Sequence, residues 1–145
     1  MSGLPASDLD PGARSWSVLR ERAAAAMDRA YAPYSNFRVG AALLGSDDSI
    51  SEGCNVENAS YPAGLCAERA AVAAAVSRGV RDFTAIVICT EADEPTPPCG
   101  ICRQVLMEFA PDLVVLSTTR AGAEARWVLS DLLPKAFTPT SLGRR

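Results

Sequence analysis

The chain has 145 residues, 48% of them apolar, a formal net charge of −3 and no histidine. That length suits one domain around a single core, and no apolar run approaches the roughly 20 residues of a membrane-spanning helix. Positive charge is almost all arginine and is scattered singly, so the basic stripe of a nucleic-acid binder is missing. Without histidine, any metal or acid–base chemistry falls to thiols and carboxylates.

In chain order, residues 1–14 read as a flexible leader, 15–137 as the folded domain and 138–145 as a tail. Met1 to Gly12 lacks the basic and apolar regions of a signal peptide, and five cysteines is an odd number. Both features point to a cytoplasmic protein using its thiols for metal rather than for disulfides. Ser15 is the expected N-cap of a first helix. Trp16, Leu19, Ala23, Ala26 or Met27, and Ala30 then recur at helical spacing as a core-facing stripe, which Ala32-Pro33-Tyr34-Ser35 ends.

Phe37 to Leu44 reads as a strand, and the turn cluster Gly45-Ser46-Asp47-Asp48 leads to a second, antiparallel one at Ile50 to Asn55. After Tyr61-Pro62-Ala63-Gly64, the alanine-rich stretch Leu65 to Ser77 is a helix with Cys66 in its first turn, ended by Gly79. Phe83 to Cys89 is a strand buried on both faces. A helix at Gly100 to Phe109 follows the loop Glu91 to Pro98, and Leu113 to Leu116 is the next buried strand, parallel to the previous one across a right-handed crossover. A last strand at Arg126 to Leu129 pairs antiparallel. These elements make an α/β domain: a mixed five-stranded sheet with helices on both faces.

The chemistry concentrates between Cys54 and Cys102, which holds all five cysteines. Cys99-x-x-Cys102 alone is ambiguous, since structural zinc sites and redox pairs share that spacing. Cys66 with Glu68 two residues later changes the reading. Three thiolates leave a tetrahedral zinc one open position, as in catalytic sites. Zinc there lowers the pKa of water, and Glu68 is the candidate to accept and return the proton. Both cysteine groups fall at expected helix starts, where free N–H groups and the helix dipole favour thiolates. Arg69 can donate hydrogen bonds to ligand sulfurs and offset the net −1 charge of such a centre. Cys54 and Cys89 read as small core residues, but a fourth thiolate from either would close the site and leave a structural zinc module.

Cys66-Ala67-Glu68 and Pro98-Cys99-Gly100-Ile101-Cys102 match the zinc deaminase signature in its three-cysteine form. With Phe37-Arg38-Val39-Gly40-Ala41-Ala42, Cys54-Asn55-Val56-Glu57-Asn58-Ala59, Tyr61-Pro62, Arg103-Gln104 and Leu132-Leu133-Pro134, the chain from Tyr31 to Phe137 resembles the small homotetrameric cytidine deaminases. The resemblance implies their three-layer fold and one Zn²⁺ per subunit, held by Cys66, Cys99 and Cys102. It implies hydrolytic deamination of free cytidine and 2'-deoxycytidine in pyrimidine salvage, with Glu68 as acid–base. Asn55 and Glu57, which alternate at a strand end and so share a face, would hold the ribose. Phe37 would wall the base pocket, and the Ala67 backbone would touch the base. Gln104 would assist Arg69 at the sulfurs, and neighbouring subunits would supply Ala59, Tyr61 and Phe137. Deaminases of blasticidin S share the fold and zinc motifs, and the intact Cys54-Asn55-Val56-Glu57-Asn58 favours a ribose binder over them.

Overall fold

The structure is a computed structural model and describes residues 13–144. Most of the expected leader, residues 1–12, and the last residue of the tail lie outside the described residues. The sheet is organised around a strand that has neighbours on both sides. This strand, β3 (Phe83–Thr90), is buried without interruption from Ala85 to Thr90. Burial on both faces explains its continuous apolar run where a one-sided strand would alternate. Beside it lies β1 (Val39–Gly45), then β2 (Ile50–Cys54) at the edge, and on the other side β4 (Val114–Thr119) and β5 (Glu124–Val128), in the order β2-β1-β3-β4-β5. Only the β3/β4 pair is parallel. Its crossover is made by α3 (Gly100–Phe109), because parallel neighbours need a long connection.

Strand alternation divides the core in two. On one face α1 (Ala13–Met27) sets Trp16, Leu19, Ala23 and Met27 against Ala42, Leu44, Ala85, Val87, Cys89 and Leu116. On the other, α2 (Ala67–Ser77) and α3 set Ala71, Val72, Ala75, Leu106 and Met107 against Ala41, Leu43, Ile86, Ile88 and Val115. Two glycines allow the helices to lie on the strands. A Cβ on Gly40 would stand 2.0 Å from the Ala23 carbonyl oxygen in α1, and one on Gly53 would stand 2.4 Å from the Ala67 carbonyl oxygen in α2. Among the described residues no helix is long and apolar enough to cross a membrane.

The expected elements differ from the observed ones mainly at their ends. α1 is already helical at Ala13, so Ser15 sits in its first turn and is not its N-cap. It also stops at Met27, ahead of the proline, in a tight turn where the Arg29 and Ala30 amides bond the Ala26 and Met27 carbonyls. α2 ends as expected at Gly79, whose φ of +88° suits glycine. There the Val80 and Gly79 amides bond the Ala75 and Val76 carbonyls at 3.0 and 2.9 Å, the reciprocal pair of a Schellman motif. β5 begins two residues earlier than expected. The turn at Gly122 (φ +99°) is tight enough for pairing to start at Glu124, opposite Thr118. The expected terminal strand residue Leu129 instead opens a short helix, α4 (Leu129–Leu132), with its side chain fully buried in the core.

Candidate metal centre and active site

Asn55 to Cys66 is shaped by backbone pairing on both sides. The Tyr31 amide bonds the Asn55 carbonyl and the Glu57 amide bonds the Tyr31 carbonyl, while Val56 and Leu65 exchange two bonds of 2.9 Å. The second pair closes a loop through the 3-10 turn at Tyr61–Ala63, so Cys66 emerges beside the end of β2.

Cys66 is the N-cap of α2 and Cys99 the N-cap of α3. Neither thiol caps the backbone N–H groups of its helix. Ser, Thr, Asn or Asp at an N-cap normally turns its side chain onto the helix, whereas here the sulfurs turn toward each other. Cys66 Sγ lies 3.9 Å from Cys99 Sγ, which lies 3.4 Å from Cys102 Sγ, and all three fall within 4.8 Å of one another. Ligands 2.3 Å from a tetrahedral centre stand about 3.8 Å apart, so this cluster fits one zinc ion. The all-thiol donor set suits that metal. Arg69 Nη2 lies 3.7 Å from Cys66 Sγ and 3.2 Å from the Gly64 carbonyl, and its buried Nε has no partner. Negative sulfurs would supply the missing acceptor.

One of the thiols already favours charge. Cys66 is lowered to about 5, chiefly because the Cys102 thiol donates to it, with further help from Arg69 and Cys99 and against its burial. That same bond, followed by burial and the Glu68 charge, raises Cys102. Glu68, in the first turn of α2, is only 6% exposed. Burial is the main cause that pushes its carboxyl up to about 7, and the negative Cys66 adds to it. A carboxyl there can both take and give a proton near neutrality.

Cys54 and Cys89 are held away from this cluster by the sheet. Both pair with Gly40, Cys54 from β2 and Cys89 from β3. Cys89 packs in the α1-side core as expected. Cys54, expected to be core too, is half-buried: its neighbour two residues back, Glu52, bonds Arg22 and Arg29 at the partly exposed rim of α1. Its position places it on that face by strand alternation. Among the described residues only Cys66, Cys99 and Cys102 form a group able to hold a metal, which leaves the four-thiolate reading without its fourth ligand.

A cleft of about 300 Å³ opens over the thiols, lined by Ser35, Phe37, Val39, Asn55, Glu57, Cys66, Ala67, Glu68, Ile88, Thr90, Thr96, Pro97 and Cys99. It thus brings together Phe37, Asn55, Glu57, Ala67, Glu68 and two of the three expected ligands. A volume of this order matches a small-molecule site. Asn55 donates Nδ2–H to the Phe37 carbonyl (2.8 Å) and accepts the Val39 amide on Oδ1 (2.9 Å), which ties Phe37 to the wall. One N–H and one lone pair of the amide are left for a ligand. Glu57 accepts the Tyr34 and Ser35 amides at 2.9 and 3.0 Å and the Ser35 hydroxyl, which hold its carboxyl below the ordinary value. Ser35 was not legible as a site residue, because its link to Glu57 spans a loop. Thr96-Pro97, beside Pro98-Cys99 in sequence, carried a signal by adjacency.

Four expected residues lie outside this cleft, and three of them, Ala59, Tyr61 and Phe137, are the ones expected from neighbouring subunits. Gln104 Nε2 donates to the Phe137 carbonyl at 2.7 Å instead of serving the sulfurs. Ala59, Tyr61 and Phe137 are absent from the cleft lining and exposed, Tyr61 by 74% and Phe137 by 58%. Tyr61 instead edges a neighbouring hollow with Tyr34, Glu57 and Asn58 that contains no thiol.

The family model for the cytidine and deoxycytidylate deaminase zinc-binding region matches residues 15–118. The cytidine deaminase of Halalkalibacterium halodurans is 47% identical over 122 residues, 83% of this chain and 92% of that protein. That of Mycobacterium tuberculosis is 42% identical over 130 residues, covering 89% and 94%. Among solved structures, the cytidine deaminase of Burkholderia pseudomallei superposes with a TM-score of 0.81 at 48% identity, covering 83% of this chain and 98% of that one. The Mycobacterium tuberculosis enzyme gives 0.74 at 42%, covering 85% and 97%.

Proposed function

As this chain belongs to the cytidine and deoxycytidylate deaminase family, we propose that it holds one Zn²⁺ on Cys66, Cys99 and Cys102 and deaminates a nucleoside bound in the cleft above them. The chain is a zinc-dependent hydrolytic deaminase that converts free cytidine and 2'-deoxycytidine to the uracil nucleosides with release of ammonia. The observation that carries the residue assignment is the buried Glu68 carboxyl, raised to about 7 beside three clustered thiols.

Bound zinc would make hydroxide available at neutral pH by acidifying water. The steps that fall to the chain follow from its own groups. Glu68 takes a proton from water and passes it to N3 of the pyrimidine, so that C4 becomes open to attack by oxygen. The same carboxyl then takes the second proton of that water from the oxygen added at C4 and carries it to the departing amino group, and ammonia leaves. Burial suits Glu68 to both transfers, because a group that titrates near ambient pH takes and gives a proton with equal ease. Arg69 offsets the excess negative charge of three sulfurs. Phe37, fastened by Asn55, walls the base, and the Ala67 backbone lines the cleft beside it. Asn55 and Glu57 hold the sugar hydroxyls through their remaining hydrogen-bonding capacity.

The exposed apolar side chains Tyr31, Tyr61, Ile101 and Phe137 support a homotetramer in which neighbouring copies bring Ala59, Tyr61 and Phe137 to the cleft. A cytoplasmic place in pyrimidine salvage completes this reading. Sedimentation of the active protein checks the assembly: an active monomer would remove the shared roles.

The central experiment follows cytidine absorbance with zinc-loaded protein and with Glu68→Gln. Turnover by the wild type, lost by orders of magnitude in a variant that retains zinc, is the expected result. A folded, zinc-loaded wild type that leaves cytidine untouched would overturn the nucleoside reading. Blasticidin S is then the substrate to try.

A further inference from the structure

Arg103 and Gln104 follow the last candidate ligand, Cys102, on α3, and both hydrogen-bond to the carbonyls of distant backbone. Arg103 Nε donates to the Pro98 carbonyl at 2.7 Å, and Nη1 donates to the Leu132 carbonyl at 2.9 Å. Gln104 Nε2 donates to the Phe137 carbonyl at 2.7 Å. The acceptors are informative. Pro97-Pro98 has no backbone N–H with which to anchor itself, so the Pro98 carbonyl is a handle on the loop just ahead of Cys99. Leu132 ends the four-residue α4, whose last carbonyls lack intrahelical partners. One half-buried guanidinium therefore satisfies a carbonyl next to a candidate ligand and a carbonyl at the start of the C-terminal segment.

We propose that Arg103 is a positioning residue that clasps the metal-ligand loop to the C-terminal segment 132–137, so that zinc occupancy and docking of that segment reinforce each other. The proposal rests on the assignment of zinc to Cys66, Cys99 and Cys102. A planar fork is required, because its donors are set at fixed directions that a lysine ammonium does not reproduce. Coupling of this kind acts in both directions. If the docked segment steadies the loop that holds zinc, zinc must steady the docked segment to the same extent. Gln104 extends the same contact five residues along the segment, from Leu132 to Phe137, but makes no hydrogen bond to the ligand loop. Its loss should therefore loosen only the far end of the segment near Phe137, while Arg103 still holds Leu132 to the ligand loop.

The test uses the full chain with two readouts, transfer of zinc to a chromogenic chelator and amide hydrogen exchange over residues 132–137. In the wild type, stripping zinc should speed exchange in that segment. Arg103→Gln should release zinc about 10–100-fold faster, the usual effect of losing a group that orients a ligand, and should exchange faster over 132–137 with zinc still bound. Arg103→Lys should fall between. Gln104→Ala should loosen the segment near Phe137 and keep the wild-type zinc release. Zinc release from Arg103→Gln within about twofold of wild type, or equal exchange in zinc-loaded and stripped wild type, would overturn the clasp. If Arg103→Gln does not fold, the wild-type pair and Arg103→Lys decide the matter. A wild type that takes up no zinc would overturn the thiol assignment itself, an outcome distinct from a loaded protein with unchanged release.

Discussion

Replacing Gly53 with alanine would add one methyl group to the sheet at the point where α2 crosses it. The new Cβ would lie 2.4 Å from the Ala67 carbonyl oxygen, 2.5 Å from the Ala71 nitrogen and 2.9 Å from Ala70 Cβ, where ordinary contact begins at 3.4 Å. The deficit of 3.4 − 2.4, about 1 Å, cannot be absorbed by a rotamer change, since two of the three atoms are helix backbone. Either α2 lifts from the sheet, taking Cys66 and Glu68 with it, or the edge strand β2 shifts and takes Asn55 and Glu57. Overpacking of this kind costs about 1–3 kcal/mol of stability, and a misplacement of about 1 Å costs on the order of 100-fold in rate. Urea unfolding, zinc content and kcat on cytidine measure the three effects. Gly40→Ala is the matched control, because its Cβ would strike Ala23 and Met27 of α1, on the opposite face. It should lose at least as much stability, while its folded fraction keeps most of the rate. Gly53→Ala with wild-type stability and kcat, or an equal loss of rate in folded Gly40→Ala, would refute the reasoning.

Asn55→Ala removes the bonds to the Phe37 carbonyl and from the Val39 amide. It should cost about 1–3 kcal/mol of stability and raise KM for cytidine more than it lowers kcat; steady-state kinetics would show the split. The Glu57 carboxyl is held below its ordinary 4.5, first by the Ser35 hydroxyl, against burial, and then by the Ser35 and Tyr34 amides. Its contribution to stability is therefore complete above pH 4.5 and is lost as pH falls through the lower folded value. Melting curves between about pH 5 and 3 should show a smaller acid loss in Glu57→Gln, and identical slopes would remove Glu57 from the acid limb. Zinc at about 1,000 times its dissociation constant stabilises by about 4 kcal/mol, roughly 10 °C for a chain of this size. A chelator-stripped sample that melts at the zinc-loaded temperature would place the metal outside the fold.

The sequence was most informative where one local rule dominates. α3 runs from Gly100 to Phe109, as the apolar spacing after Pro98 implies, and Gly79 ends α2 because only a left-handed residue completes that cap. The three clustered thiols were legible because Cys66 and Cys99 mark helix starts, so their separation in sequence disappears once both helices pack on one face of the sheet. Contacts between loops were not legible. Nothing local in Ser35 says that its hydroxyl will meet Glu57, and nothing in Gln104 distinguishes a ligand sulfur from the carbonyl of Phe137, 33 residues along the chain. The end of β5 was misplaced for a similar reason. Leu129 has a strand-like side chain, but tertiary burial turned it into the first residue of α4.

The separation of the five thiols by the sheet has a consequence for how the protein ages. Cys99 and Cys102 stand 3.4 Å apart at sulfur and Cys66 is 3.9 Å from Cys99, so bond formation at about 2.05 Å requires an approach of less than about 2 Å. Once stripped of metal, the cluster is thus close to an oxidised state in which air converts two ligands to a disulfide and zinc can no longer return. Cys89, enclosed beneath α1, is out of reach of that exchange. Zinc is thus a guard against corrosion of its own binding site as well as a reagent.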